Sequence, residues 1–393
     1  MISTDDALAH LFGLVSAFDA ERVPLRQAVG RVLAEDMVAT RAQPPFAASA
    51  MDGYAARQDD VHAGAELRVI GEAPAGAAFD GQVGPGEVVR IFTGAPVPAG
   101  ADTVVIQENT TKSSTRIRVT DANPGRTNIR PAGGDFDVGD RVTAPRLLRP
   151  ADIALAAAMN LPELTVRRRP IIAIVTTGDE LVQPGETPSP TQIIASNALG
   201  LGALFEEAGA EARLLPIARD TEASLRAALA LTEGADLIVT IGGASVGAHD
   251  VVARLSESLG LERVFYRVAM RPGKPLMAGR MRGTPMIGLP GNPVSAMVCG
   301  HIFVLPMIRV MLGFPPRPAP RIRATLAIEV PQNGPREHYM RASHDGSGVT
   351  PFAAQDSSLL TILSSANALL VRPPHDPARL AGHSVDIVPL HRG

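Results

Sequence analysis

The 393-residue sequence predicts a multidomain α/β plus β protein: a three-layer α/β sandwich over 169–317, a small β domain inserted near the front, and a β tail. Three observations carry that reading. The length corresponds to two to four domains at roughly 150 residues each. Residues 171–175 are continuously apolar and rich in β-branched side chains, as in a parallel strand covered on both faces. Pro315, Pro316, Pro318 and Pro320 form a stiff linker, after which Ile322, Ala324, Leu326, Ile328 and Val330 alternate with more polar positions.

Taken in order, Asp5 and Asp6 ahead of Leu8, Leu11, Phe12 and Val15 give an acidic first turn and an apolar stripe, hence an amphipathic helix. Between 44 and 135 the texture changes to short β-like pieces at 88–92, 103–107 and 116–120, broken by Gly, Pro and Asp turns. Pro150 stands where a first helical residue is favoured, with Ile153, Leu155, Ala156 and Met159 behind it. The β stretch 44–135 is therefore read as inserted between helical or extended stretches at 1–43 and 136–168. In the sandwich, helices are expected at 197–207 and from a cap at Asp220 or Thr221 to about 232, with strands at 212–215, 237–241, 264–269, 276–278 and 286–289. The tail, 318–393, adds β segments at 368–371 and 385–388 and reads as a small β-barrel-like domain.

Several classes drop out. The net charge of −3 provides no basic field to hold nucleic acid or an anionic membrane, so any anion site must be local. Cys299 is the only cysteine, which excludes an intrachain disulfide and a multi-cysteine zinc site and fits a reducing compartment; its apolar neighbours make it core filler. The start, MISTDDALAH, has two acids and no basic region, unlike a signal peptide, so a cytoplasmic protein is expected. No charged residue occurs from Gly283 to Ile308, yet Pro290, Gly291, Asn292 and Pro293 break the run and His301, Pro306 and Arg309 follow, so a buried helix is expected there and no membrane span.

Open α/β sheets bind ligands beyond the carboxyl ends of their strands, and four loops there are unusual. The strand at 171–175 leads to Thr176, Thr177, Gly178, Asp179 and Glu180, and that at 237–241 to Gly242, Gly243, Ser245, Gly247 and Asp250. The strand at 264–269 leads to Arg271, Gly273 and Lys274, and that at 286–289 to Gly291, Asn292 and Ser295. Glycines let a ligand approach the backbone, N–H groups point positive charge at an anion, and the cations supply full charge. This is a phosphate or oxyanion cradle. Carboxylates beside phosphates repel them unless a hard cation intervenes, which makes Glu180 and Asp250 candidate Mg²⁺ ligands. Singly, each loop also reads as an ordinary turn and Lys274 as a surface lysine; their coincidence on one edge favours a site. Residues 243–247 match the G-x-S-x-G elbow of α/β-hydrolases, but no ordered Asp and His partners or oxyanion loop accompany it. P-loop and dinucleotide fingerprints are absent.

SAMDGYA at 49–55, TGAPVP at 93–98, VVIQE at 104–108, NIR at 128–130, TTGDEL at 176–181, GGASVGAHD at 242–250, RPGKP at 271–275 and GLPGNPVSA at 288–296 occur in that order. Together they resemble the molybdopterin molybdenumtransferase family, the MoeA and gephyrin E-domain proteins. The resemblance implies an elongated homodimer of four-domain subunits with a sandwich of molybdopterin-binding type. It places the active site between the sandwich of one subunit and the inserted domain of the other. It also implies a Mg²⁺-dependent reaction in which adenylylated molybdopterin loses AMP while molybdate is transferred to the dithiolene, with transient contact to other molybdenum-cofactor biosynthesis proteins. A catalytically silent scaffold and an adenylyltransferase-like enzyme are the alternatives.

Carried over by motif, Asp52, Thr93, Asp135, Glu180 and Asp250 are implied as catalytic. Arg130, Gly243, Ser245, Arg271, Lys274, Asn292, Ser295, Arg341 and Ser357 are the substrate or anion contacts, Arg341 and Ser357 facing molybdate. Four places depart from the family pattern: Arg271 stands for a Lys, Gly134 for a Glu, Ile194 and Ala195 for a more polar pair, and Asp356 for a Gly.

Overall fold

The computed structural model describes residues 1–122, 125–242 and 260–390, and the chain forms two compact units, one of 1–21 with 166–393 and one of 22–165. Helix α1 (Thr4–Phe12) opens the chain. Ser3 Oγ accepts the Asp6 N–H at 3.0 Å while the Asp6 carboxylate receives the Ser3 N–H and hydroxyl, a capping box. Ile2 bridges Val268. Residues 1–21 thus pack with the second half of the chain, whereas the sequence pattern groups them with 22–43.

The unit of 22–165 holds β1 (Ala48–Ser49), β2 (Gly53–Ala56), β3 (Glu66–Ala73), β4 (Glu87–Ile91), β5 (Thr103–Ile106), β6 (Thr110–Ser113), β7 (Arg116–Val119), β8 (Ile129–Arg130) and helix α2 (Pro150–Ala158). One sheet runs in the order β5-β2-β4-β3-β7-β6, and β8 pairs separately with β1. Because successive side chains of a strand face opposite ways, Tyr54, Ala56 and Val88 enter one core with Leu67 and Ile117, and Ala55 and Val89 another with Ile91 and Val104.

The second unit continues with β9 (Ile171–Thr176), β10 (Leu181–Val182), β11 (Ile193–Ile194), α3 (Asn197–Glu207), β12 (Glu211–Leu214), α4 (Glu222–Ala230), β13 (Leu237–Ile241), β14 (Leu261–Tyr266), β15 (Met270–Arg271), β16 (Met277–Met281) and β17 (Thr284–Leu289). Its sheet has the order β12-β9-β13-β17-β16-β14. The first four strands are parallel; β16 is antiparallel to both its neighbours, so the sheet is mixed where strict alternation implied parallel strands. That reversal leaves β14 running with the parallel set. The loops after β9, β13, β14 and β17 therefore leave from one edge.

Two expected strands depart from their pattern: the one expected at 264–269 lies three residues earlier with the same length, and the other is shorter. β14 stops at Tyr266 because Arg267 takes φ 77° and turns the chain. The alternating run 322–330 is strand only over β18 (Ile322–Thr325), with Leu326 and Val330 making single bridges beyond it. Ahead of it, α5 (Pro293–Cys299), a π-helical turn at Gly300–Val304 and α6 (Leu305–Met311) run on as one helix. It is long and apolar enough to cross a membrane, but 78% of its most apolar window is buried inside this chain, and Cys299 is among the buried residues.

β19 (Glu337–His344), β20 (Val349–Pro351), α7 (Leu360–Ser365), β21 (Ala368–Arg372) and β22 (Ser384–Pro389) complete the tail. The sheet order is β15-β19-β21-β22-β18, with β20 also on β19. The Leu326–Val349 bridge links its two sides and curls it toward a barrel around Leu326, Ala342, Leu370 and Ile387. β15, contributed by the RPGKP loop, is the edge that sequence reasoning did not anticipate.

Candidate active site

A cavity of about 720 Å³ opens at the carboxyl ends of β9, β13 and β17. Thr176, Thr177, Gly178 and Glu180 form one wall, Ile193 to Asn197 a second, and Pro290 to Pro293 a third, with Asp220, Gly242, Pro275 and Ser358 closing the rim. Thr176 is among the lining residues, and its Oγ1 is buried with no hydrogen-bond partner among the described residues.

Gly178 is required by its neighbour as well as by its backbone. It has φ +150°, and a Cβ there would lie 2.6 Å from Glu180 Oε2, so the Glu180 carboxylate folds over a position that any other residue would fill. The same loop is tied to the next: Asp179 Oδ1 accepts the Asp220 N–H at 3.1 Å, and the Asp179 carbonyl accepts from the Arg219 guanidinium at 2.9 Å. Thr221 takes the capping role by accepting the Ser224 N–H. Asp220, weighed in the sequence only as a cap, instead lines the cavity beside Glu180. The missed signal was an acid just before a helix cap, a pattern that ordinary turns share.

Asn197, at the start of α3, donates to the Gly291 carbonyl at 2.7 Å, and Asn292 donates to Ser357 Oγ at 3.1 Å. The Val294 N–H also donates to the Ser357 carbonyl at 3.1 Å. Two predicted anion contacts, Asn292 and Ser357, are thus joined at the rim. Asp356 Oδ1 accepts from the Ser358 N–H and hydroxyl at 2.8 and 2.6 Å, which holds its carboxyl below the usual range and sets the loop that carries Ser358.

The expected cations lie elsewhere. Lys274 is exposed and the cavity receives only Pro275 from its loop, while Arg271 sits in β15 opposite His338. Ser295 is 4% exposed inside α5, pointing its helix into the core. Arg341 is 2% exposed, its guanidinium held by the Asp356 carbonyl at 2.8 Å and by Gln355 Oε1 at 3.3 Å, and burial lowers its pKa. It braces the loop of Ser357 from behind. Gly243, Ser245 and Asp250 lie outside the described residues.

In the other unit, three of the four inserted-domain motifs, SAMDGYA, TGAPVP and NIR, converge on Ser49. The Ser49 carbonyl accepts the Gly94 N–H, its N–H donates to Ala95, and Ile129 pairs with it across β1 and β8, which sets Arg130 opposite Ala48. Asp52 Oδ1 accepts both the N–H and the hydroxyl of Thr93 at 2.8 Å. The Thr93 N–H and then its hydroxyl hold the Asp52 carboxyl below its ordinary value, so it is an anion at neutral pH. A Cβ on Gly53 would fall 2.0 Å from the Val105 carbonyl, which explains the Asp-Gly pair. Asp135, exposed, lies on the neighbouring loop where its N–H donates to Gln43.

The mixed α/β sandwich carries a polar cavity with acidic loops at its strand ends, where open α/β sheets bind ligands, and this segment is matched by a molybdopterin-binding family profile. Family profiles agree over the chain: the MoeA N-terminal region (domain I and II) matches 2–160, the Probable molybdopterin binding domain 173–310, and the MoeA C-terminal region (domain IV) 323–390. The chain belongs to the MoeA family. The molybdopterin molybdenumtransferase of Nostoc sp. is 36% identical to it, covering 99% of this chain and 94% of that one. Molybdopterin molybdenumtransferase 2 of Mycobacterium tuberculosis is 38% identical over 89% and 90%. Two crystal structures of the Pyrococcus horikoshii MoeA molybdopterin biosynthesis protein superpose with TM-scores of 0.83 and 0.84, at 28% and 27% identity, covering 100% and 98% of this chain and 100% and 99% of theirs.

Proposed function

We propose that this chain is a molybdopterin molybdenumtransferase acting in molybdenum cofactor biosynthesis: it inserts molybdate into adenylylated molybdopterin and releases AMP. The observation that carries this reading is the cavity walled by Thr177, Gly178, Glu180, Asp220 and Asn292 at the strand ends of a MoeA-family chain. It is large enough for a nucleotide-sized ligand. The exposed Ile193 and Ile194 on its wall offer an apolar strip to a heteroaromatic ring. Matches over both the N-terminal and C-terminal regions disfavour a lone adenylyltransferase domain.

Mg²⁺ belongs to this proposal because of the cavity's charge. Among the described lining residues the charge-bearing side chains are the acids Glu180 and Asp220, with no Lys or Arg, so the cavity lacks a cation to offset a phosphoanhydride. Mg²⁺ is commonly bound by one or two carboxylates together with substrate phosphates. Among the described residues no cluster of three His, Cys, Asp or Glu is placed to hold a metal, and this smaller requirement fits Glu180 and Asp220, with Asp250 as a further candidate. Bound there, the ion would neutralise phosphate charge, while Asn197 and Asn292 brace the walls.

A homodimer with an active site built from two subunits, Asp52 and Thr93 from one and Glu180 from the other, is part of the same proposal and rests on the resemblance. A cytoplasmic location is supported by a single, buried, free cysteine. The test is release of AMP from adenylylated molybdopterin by the purified protein. Molybdate-dependent release supports the proposal, and unchanged substrate after prolonged incubation with molybdate and Mg²⁺ overturns it.

A further inference from the structure

The sheet end that carries Asp52 also holds an arginine in a cage. Arg90, in β4, pairs across the sheet with Tyr54 of β2, and its guanidinium carbon lies 5.1 Å from the centroid of the Tyr54 ring and 4.8 Å from that of Phe92. Both cation–π contacts hold the fork in place. Its Nη1 donates to the Gly53 carbonyl at 3.1 Å and its Nη2 to Gln107 Oε1 at 2.6 Å. Gln107, in the VVIQE run just after β5, then donates its own N–H to the Asp52 carbonyl at 3.0 Å.

The carbonyls of Asp52 and Gly53 are therefore both held by the Arg90–Gln107 pair, while Thr93 holds the Asp52 carboxylate. Three strand ends converge there, since Gly53 pairs with Ile91 on one side and Ile106 on the other. Both acceptors of Arg90 are neutral, and it makes no ion pair among the described residues. A glutamate at 107 would cancel its charge; the glutamine leaves that charge in place. At this end of the sheet the charged and titratable neighbours of Asp52 are Tyr54, Arg90 and Glu108, with Arg130 on the adjoining β8. Glu108 accepts from the Gln107 amide at 3.2 Å. After the two Thr93 hydrogen bonds, it is Arg90 that lowers the Asp52 carboxyl's pKa.

We propose that Arg90 is a positioning residue for Asp52: caged by two rings and two neutral acceptors, it clamps the Asp52–Gly53 backbone and keeps an uncancelled positive charge at the same strand end. It acts through Asp52 and Gln107. The proposal rests on Asp52 serving the transferase reaction. A lysine at 90 would keep the charge and lose the two-armed fork, so clamp and charge can be separated.

The test compares Arg90→Lys and Arg90→Gln with the unaltered protein in the intact chain. Two quantities are read: AMP release, and the titration of the Asp52 carboxyl by carbon NMR, its signal assigned through Asp52→Asn. The clamp predicts that kcat falls in both variants by roughly 10- to 100-fold, as for a slightly displaced reacting group, with KM nearly unchanged and cooperative melting retained. The charge predicts that the Asp52 titration moves to higher pH in Arg90→Gln and stays in place in Arg90→Lys. Unaltered kcat in Arg90→Lys overturns the proposal, and so does an Asp52 titration in Arg90→Gln that coincides with that of the unaltered protein. If Arg90→Gln fails to melt cooperatively, kcat of Arg90→Lys decides. Failure of the unaltered protein to release AMP defeats the transferase reading instead, and the carboxyl titration then decides for Arg90.

Discussion

Asn292 donates its side-chain amide to Ser357 Oγ at 3.1 Å, joining the loop that closes the α/β sheet to a loop of the C-terminal sheet. The contact is reinforced by the Val294 N–H on the Ser357 carbonyl and backed by buried Arg341. It brings Ser358 to the cavity rim. The C-terminal domain is therefore part of the cavity wall.

Asn292→Ala removes one neutral hydrogen bond and should cost about 1 kcal/mol of stability. Its larger effect should be on substrate binding, because the freed loop carries Pro293 and Ser358 at the rim. Steady-state kinetics should show KM rising more than kcat falls. Unchanged KM with the same stability loss would reduce the contact to a structural one.

The pattern of apolar runs located nearly every strand of the sandwich, since a strand covered on both faces leaves a continuous signature, as at 171–175 and 237–241. It could not reveal β15, two residues whose pairing with β19 depends on a partner 67 positions away. The site was legible as motifs but not as contacts. Asp52 and Thr93 are 41 residues apart and meet because β2 and β4 pair. Arg341 and Ser295, implied as substrate contacts by the resemblance, are both buried, which sequence order alone does not reveal. Charge placement was the weakest inference, because the order of residues along a loop does not say which side chains face the cavity and which face away.

Asp52→Asn should leave the fold nearly intact, because the new amide oxygen still accepts from Thr93. Loss of the negative charge should lower turnover about 100-fold or more if the carboxylate moves a proton. A large fall in melting temperature would make Asp52 structural. Mixing inactive Asp52→Asn and Glu180→Gln subunits should restore roughly a quarter of activity if sites are shared across a two-fold dimer. Heterodimers without rescue would place each site within one chain.

Thoroughly metal-stripped protein should retain substrate binding poorly and turn over negligibly, with activity returning on Mg²⁺ addition. Glu180→Gln and Asp220→Asn should each raise the Mg²⁺ concentration needed for half-maximal rate, because each removes one of the two carboxylates that line the cavity among the described residues. Full activity in chelator-treated buffer would refute the assignment.

His338 predicts a specific acid sensitivity. Burial first, then the positive charges of Arg271, Arg372, Arg336 and Arg341, lower its pKa from 6.5 to about 4. The neutral ring is thus favoured in the folded state, and the unfolded chain binds the extra proton. Stability from this group is complete above pH 6.5 and is lost as the pH falls toward about 4, by on the order of 3 kcal/mol in all. Asp52, Asp152 and Asp376 have lowered values, so their losses come at still lower pH, below their ordinary 3.8. Urea unfolding between pH 7 and 4.5 should therefore show a decline that His338→Gln largely removes. An identical decline in the variant would place the sensitive group elsewhere.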